Sequence, residues 1–259
     1  MAEIVRKDLR VQGSRWSWYE LGNGPVMVFL HGGGGTGKAF SAQIQYFSSH
    51  YRVLAPDLPG FGRSDRPPHI AGLSDIPPAL WHWLDALDIS TAILAGNSMG
   101  GRVALAAAAA LPSRVSHLIC LSVAGIHLPD VALGDPLAID PAHFVQAMVH
   151  DPKRFRRLTP YRTLEDAKEL SAGRKAYAEY QDQGGISARP EVDLTLLTMP
   201  TLLLWGRQDH IIPLAYGQAL EASMINATLV VFEDVGHLPH MEAPTRTNQA
   251  IENFLHTNR

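Results

Sequence analysis

A single cysteine, Cys120, stands among 259 residues. One thiol can neither close an intrachain disulfide nor build a multi-cysteine metal site. It lies in the apolar run "HLICLSV", which points to core packing rather than nucleophilic use. Long apolar runs are missing as well. The longest, Val103 to Leu111, is too short to span a bilayer, which takes about 20 residues. "MAEIVRKDLR" carries no apolar stretch of the kind that directs secretion, so a cytoplasmic protein with no membrane partner is expected. An excess of positive charge is also lacking: 22 Lys and Arg against 25 Asp and Glu give a formal net charge of −3. Such a chain offers nucleic acid no electrostatic footprint. Its one basic cluster, Lys153-Arg154-x-Arg156-Arg157, reads as a solvated helix face, with a local anion contact in a substrate pocket as the alternative. Repeats and low-complexity segments are absent.

What is present is a core-forming composition, 46% hydrophobic and 18% charged. Residues 9–20 alternate loosely around Trp16, Trp18 and Tyr19 and suggest an opening antiparallel hairpin. Short apolar runs then recur at 26–30, 51–56, 91–96, 117–123, 201–206 and 227–232. Most are continuous rather than alternating, as in strands buried on both faces. Stretches of helical length lie between them at 38–48, 74–88, 98–110, 213–223 and 242–256. The alternation predicts an α/β fold, a mostly parallel, doubly wound sheet with helices on both sides. From 126 to 199 the rhythm breaks: helical patterns at 142–150, 152–158 and 163–181 are punctuated by Pro129, Pro136, Pro141, Pro160 and Pro190. This interval is expected to be a helical cap inserted into a core made of residues 1–125 and 200–259. Phe144, Met148, Phe155 and Tyr161 within it could line a pocket, although core packing is the simpler role for each.

The stretch "VFLHGGGGTGKAF" at 28–40 admits three readings. Gly32-x-Gly34-x-x-Gly37 has dinucleotide-loop spacing, and Asp57 follows about 20 residues on, as that fingerprint asks. Gly32 to Lys38 approaches a phosphate-binding loop but has Ala39 where a metal-binding hydroxyl belongs. The same backbone amides could instead hold a transient oxyanion.

The decision comes from elsewhere in the chain. Gly96-Asn97-Ser98-Met99-Gly100 matches G-x-S-x-G directly after a predicted strand and directly before a predicted helix. That is the setting of a nucleophile elbow, whose sharp turn exposes the serine hydroxyl above a helix N-terminus. A serine needs a base. His237, in "VGHLPHMEAP" after the last predicted strand, can supply it, and His240 reads as a pocket or packing residue. Asp209, in "GRQDHIIP" just after the 201–206 strand, is the candidate orienting acid, with Asp234 the second choice. The order Ser98…Asp209…His237 is one of the known triad orders. The other histidines are scattered, with no acid-supported pair at ligand spacing, so neither a metal nor a cofactor is expected.

The pieces "HGGGG", "PDLPGFGRSDRP", "GNSMGG", "GRQDHIIP" and "GHLPHMEAP", in this order and over essentially the whole chain, resemble the α/β-hydrolase family. The resemblance implies an oxyanion hole from the backbone N–H groups of Gly33 and Met99, and a substrate position beside Gly34, Asn97 and Arg102. "HGGGG" with "GNSMGG" is similar to carbon–carbon hydrolases of dienoic ring-fission products. Those usually carry Trp after the catalytic His, where this chain has Leu238. Arg102 resembles a residue of the menaquinone-pathway synthase, which usually has an aromatic residue where Asn97 stands. Carboxylesterases and lactonases fit every motif. Dehalogenases and epoxide hydrolases of this fold need Asp in place of Ser98. The expectation is a serine hydrolase of a small carbonyl substrate, an ester or lactone, with carbon–carbon cleavage as the alternative. A pyruvate-eliminating lyase and a ligand receptor without turnover rank below these. A homo-oligomer is compatible with the sequence.

Overall fold

A computed structural model describes residues 3–182 and 192–258. Eight strands form one sheet among the described residues: β1 (Val5–Val11), β2 (Ser14–Leu21), β3 (Val26–Leu30), β4 (Arg52–Pro56), β5 (Ala92–Asn97), β6 (Val115–Leu121), β7 (Thr201–Gly206) and β8 (Ala227–Phe232). Their order is β1-β2-β4-β3-β5-β6-β7-β8. β1 and β2 are the expected hairpin, longer than the alternation suggested, and β2 pairs antiparallel with β4. All the remaining pairs are parallel. The mostly parallel α/β sheet expected from the sequence is therefore present.

The continuous apolar runs follow from two buried faces. Val28, Leu30, Leu94, Leu118, Cys120, Leu203 and Trp205 point into one core, and Met27, Phe29, Ile93, Ala95, Ile119, Leu121, Leu202 and Leu204 into the other. Successive side chains of a strand alternate between faces, so a strand covered on both sides has no polar positions. Helices α1 (Ser41–Phe47) and α9 (Pro244–Thr257) cover the second face. Helices α2 (Ile76–Asp85), α3 (Met99–Ala110) and α7 (Leu214–Ser223) cover the first. Each fully buried Leu, Ile or Phe contributes about 1.5–3 kcal/mol. Cys120 is wholly buried in β6, and burial pushes its thiol pKa up, away from the reactive thiolate.

Two helix expectations needed adjustment. The 38–48 pattern opens as a 3-10 turn at Gly37–Phe40 before α1. The final pattern, 242–256, begins at Pro244 as α9, and a separate short helix α8 (Pro239–Glu242) precedes it, because Pro244 lacks the N–H that would continue α8.

Between β6 and β7 the chain carries α4 (Phe144–Met148), α5 (Pro152–Leu158) and α6 (Leu164–Asp182), and no strand among the described residues. Residues 183–191, including Pro190, lie outside the described part of this insertion. α6 turns an unusual face to the sheet domain. Asp166 meets Lys38 at 2.6 Å, Glu169 meets Arg6 at 3.1 Å and Arg63 at 3.2 Å, and Glu179 meets Arg66 at 3.0 Å. The Tyr180 hydroxyl donates to the Pro59 carbonyl at 2.9 Å. No helix of the described residues is long and apolar enough to cross a membrane.

Candidate active site

The chain runs from β3 to β4 on one side and then returns to β5 on the other side of β3. Such a reversal opens a crevice at the carboxyl ends of the two diverging strands, where ligands bind in open α/β sheets. Leu30 pairs with Gly96 at that end. The loop 31–37 after β3 and Ser98 after β5 are thereby brought together.

Ser98 has φ 53° and ψ −116°, a strained conformation at the sharp turn from β5 into α3. Its N–H donates to the Leu121 carbonyl at 3.0 Å and its carbonyl accepts from Arg102 N–H at 3.0 Å. The turn closes because Gly100 lies directly on β3, where a Cβ would overlap the Leu30 carbonyl. α3 begins at Met99, so its N-terminal amides and positive dipole end lie beside the serine.

Asp209 and His237 form the buried partner pair. Nδ1 of His237 lies 2.9 Å from Oδ2 and 3.1 Å from Oδ1 of Asp209. Asp209 Oδ1 also accepts the N–H groups of Ile211 and Ile212, each at 2.9 Å. A carboxylate fixed by these donors faces the ring and selects the tautomer that carries the proton on Nδ1. Nε2 is then the basic nitrogen. Ser98, Asp209 and His237 are 5%, 4% and 2% exposed, so water reaches none of them freely. The structure gives Ser98 and His237 no direct hydrogen bond; such bonds are often long in resting enzymes and tighten with substrate. Asp234 is exposed and sits 3.8 Å from His150, away from this pair. His240 stacks on Phe40 at 4.4 Å and is a packing residue.

The glycine loop is pinned from several sides. His31, fully buried, donates from Nδ1 to the Gly32 carbonyl at 2.9 Å and accepts the Leu58 N–H on Nε2 at 3.0 Å. Burial lowers its pKa to about 4, so it stays neutral near neutrality. Gly35 N–H also donates to the Gly32 carbonyl, at 3.0 Å. A Cβ on Gly32 would stand 3.5 Å from Ser98 Cβ, which puts the Gly32–Gly33 segment beside that serine. A Cβ on Gly33 would stand 2.5 Å from the ring of Tyr177, so the buried Tyr177 of α6 roofs this loop.

The nucleotide readings find other occupants in the structure. Lys38 is engaged by Asp166, and Asp57 accepts Gly37 N–H at 2.9 Å, Arg63 N–H at 3.0 Å and the Arg6 guanidinium. Among the described residues no group of His, Cys, Asp and Glu is arranged to hold a metal.

The remaining expectations fare unevenly. Asn97, expected beside substrate, is 1% exposed, and its amide nitrogen donates to the carbonyls of Leu121 and His237, each at 3.1 Å. Those hydrogens hold the His237 loop against the turn at Ser98. Arg102 is half-buried on α3; desolvation lowers its pKa while neighbouring Tyr177 raises it. The Gly34 backbone lies against Gly173 and Arg174 of α6, with φ 78°. Tyr161 bonds through its hydroxyl to Thr36 at 3.3 Å, so it anchors the glycine loop. Phe144, Met148 and Phe155 pack against the core. Lys153, Arg154 and Arg156 line a surface cavity of about 580 Å³ that Ser98, Asp209 and His237 do not border. Sequence reasoning missed Tyr177 and Glu242. The signal for Glu242 was weak: a lone acid in "PHMEAP", beside a candidate base.

A family model for the alpha/beta hydrolase fold matches residues 25–244. The dihydrolipoyllysine-residue acetyltransferase component of an acetoin cleaving system from Pseudomonas putida is 31% identical, over 95% of this chain and 68% of its own length. A 2-hydroxy-6-oxononadienedioate/2-hydroxy-6-oxononatrienedioate hydrolase from Burkholderia vietnamiensis is 30% identical, over 89% of this chain and 86% of its own. Among solved structures, a thermophilic esterase from Thermogutta terrifontis is 26% identical with a TM-score of 0.78, covering 99% of each chain. With the family model spanning most of its length and relatives named as hydrolases, this chain belongs to the α/β-hydrolase family and is an enzyme of the hydrolase class.

Proposed function

We propose that the protein is a serine hydrolase acting on a small carbonyl substrate, a carboxylic ester or lactone. Ser98 is the nucleophile, His237 the general base and Asp209 its orienting acid. The observation that carries this reading is the strained Ser98 at the sheet's switch point, together with the buried His237–Asp209 pair. With Asp209 fixing the proton on Nδ1, Nε2 takes the proton of Ser98 as its oxygen attacks the carbonyl. The amides of Gly33 and Met99 receive the oxyanion, each worth about 3–4 kcal/mol. His237 then returns its proton to the leaving group, and water activated by the same base hydrolyses the acyl-enzyme. Residues 126–199 act as the cap over this site, on a core of 1–125 and 200–259, with Tyr177, Arg102 and Gly34 at the substrate.

A second reading is favoured by the relatives. Several are named as hydrolases of ring-fission products, the Burkholderia protein among them. In that reading the bond cleaved is carbon–carbon in a 2-hydroxy-6-oxo-dienoate, and the same base and oxyanion amides serve.

Turnover of p-nitrophenyl acetate by the wild type and by Ser98→Ala tests the nucleophile. A loss of about 10⁴-fold or more is expected, and an active wild type with an unchanged variant sinks the assignment. A chromogenic dienoate separates the two readings: an ester or lactone hydrolase leaves its colour intact, and a carbon–carbon hydrolase bleaches it.

A further inference from the structure

We infer that Glu242 is a positioning residue for His237, and that the insertion takes part in the base's mounting through Met148, His150, Asp151 and Arg154 as well as covering the site. This rests on the reading of His237 as general base.

Glu242 is completely buried, five residues beyond His237, and both of its carboxylate oxygens are engaged. Oε2 accepts Gly236 N–H at 2.8 Å and His150 N–H at 3.2 Å. Oε1 accepts Asp151 N–H at 2.7 Å and the Arg154 guanidinium at 3.0 Å. One of these donors comes from the histidine loop and three come from the insertion. Arg154 also donates to the carbonyl of Asp234, so a single guanidinium grips both ends of the 234–242 loop.

The backbone contacts are equally direct. His237 N–H donates to the Met148 carbonyl at 2.8 Å, and its own carbonyl accepts from Asn97 at 3.1 Å. Gly236 lies so close to 148–150 that a Cβ would stand 2.8 Å from the Met148 carbonyl and 2.9 Å from the His150 nitrogen. The base's main chain is thus held by the elbow on one side and by the insertion on the other. Asp209 orients the ring, while the Glu242 cluster fixes where the ring's backbone stands.

A buried carboxylate with four donors has a defined chemical requirement. In Glu242→Gln one oxygen becomes an NH₂ that cannot accept, so two of the four donors lose their partner whichever way the amide turns. The loop must then shift, and displacing a catalytic group by about 1 Å costs about 10²-fold in rate.

The test uses the full chain and p-nitrophenyl acetate, with active sites counted by complete titration with a fluorophosphonate. Glu242→Gln is expected to lose about 10²-fold in kcat per titrated site with KM little changed. Arg154→Met, which leaves the three backbone donors in place, loses about tenfold, and Arg154→Lys regains part of that loss. Lys153→Gln, an exposed change on the same helix, leaves kcat per site unchanged. A merely structural role would lower the number of titratable sites and spare the rate of each. If Glu242→Gln does not fold, the Arg154 variants decide. A kcat per site within about twofold of wild type for every folded variant overturns the proposal. His237→Ala with wild-type activity would overturn the underlying reading of the site instead.

Discussion

His240 is a buried ring with no use for its charge. It stacks on Phe40, its Nδ1 has no hydrogen-bond partner, and burial, together with the neighbouring His237, lowers its pKa to about 3. His31 shares the property, with burial bringing it to about 4. Both stay neutral in the folded chain, whereas in the unfolded chain they protonate near pH 6.5. Their contribution to stability is therefore complete above pH 6.5 and is lost as the pH falls toward 4, since the unfolded state binds protons that the native state refuses. Each histidine adds a slope approaching about 1.4 kcal/mol per pH unit in that window. His240→Leu, of similar bulk, removes one such group and an orphaned polar atom with it. Its stability at pH 7 is expected to match or exceed wild type, and its urea-unfolding free energy between pH 6 and pH 4.5 should fall less steeply by about one proton. An acid slope identical to wild type would show that His240 does not titrate on unfolding.

At the scale of elements, α6 carries information that periodicity could not read. Its inward face is Asp166, Glu169, Gly173, Tyr177 and Tyr180, acids and a glycine where an apolar stripe would be expected. Its start is set by a reciprocal cap: Asp166 N–H donates to Thr163 Oγ1 at 3.1 Å, and Thr163 N–H donates to Asp166 Oδ2 at 2.8 Å. Burial opposes ionisation of Asp166, but Lys38 and the amides of Arg162 and Thr163 outweigh it and hold the carboxyl well below the usual range. Its stabilisation is present above the ordinary carboxylate pKa and is lost only in stronger acid. Asp166→Ala should cost about 1 kcal/mol at pH 7. The loss should appear as faster amide exchange in the first turns of α6, with β5 and β6 unaffected; equal acceleration across the sheet would contradict this local role. The strands were legible because both-face burial leaves continuous apolar runs, as in "TLLLWG". Ser98, Asp209 and His237 could be named as candidates from sequence because each follows a strand end with its own motif. Asn97, Tyr177 and Glu242 were not, because their roles depend on partners brought close only by the fold: Asn97 reaches His237, 140 residues on.

Across the whole molecule, Arg6 joins the hairpin, the sheet and the insertion. From β1 it reaches Asp57 after β4, Glu169 on α6 at 3.1 Å, and the Tyr19 hydroxyl at 2.9 Å. Asp57 is wholly buried, and desolvation raises its pKa even though Arg6 and the amides of Arg63 and Gly37 favour the anion. The arginine therefore favours the anionic form of Asp57 beside Glu169. Arg6→Met strips Asp57 of its guanidinium partner and leaves Glu169 with Arg63 alone, and breaking a buried pair in this way costs about 3–5 kcal/mol. The sign of the pH dependence follows. With Arg6 gone, the pKa of Asp57 rises further above its unfolded value, so the folded state gains by taking up a proton as the pH drops. The stability gap between wild type and Arg6→Met, measured by urea unfolding, should be large at pH 8 and shrink toward pH 5. Adding Glu169→Gln to Arg6→Met should recover part of the loss at pH 8 by removing one of the two like charges, with little further effect at pH 5. A loss equal at both pH values, with no recovery in the double variant, would mean that Arg6 acts by packing against Tyr19 rather than by holding the charges of hairpin, sheet and insertion together.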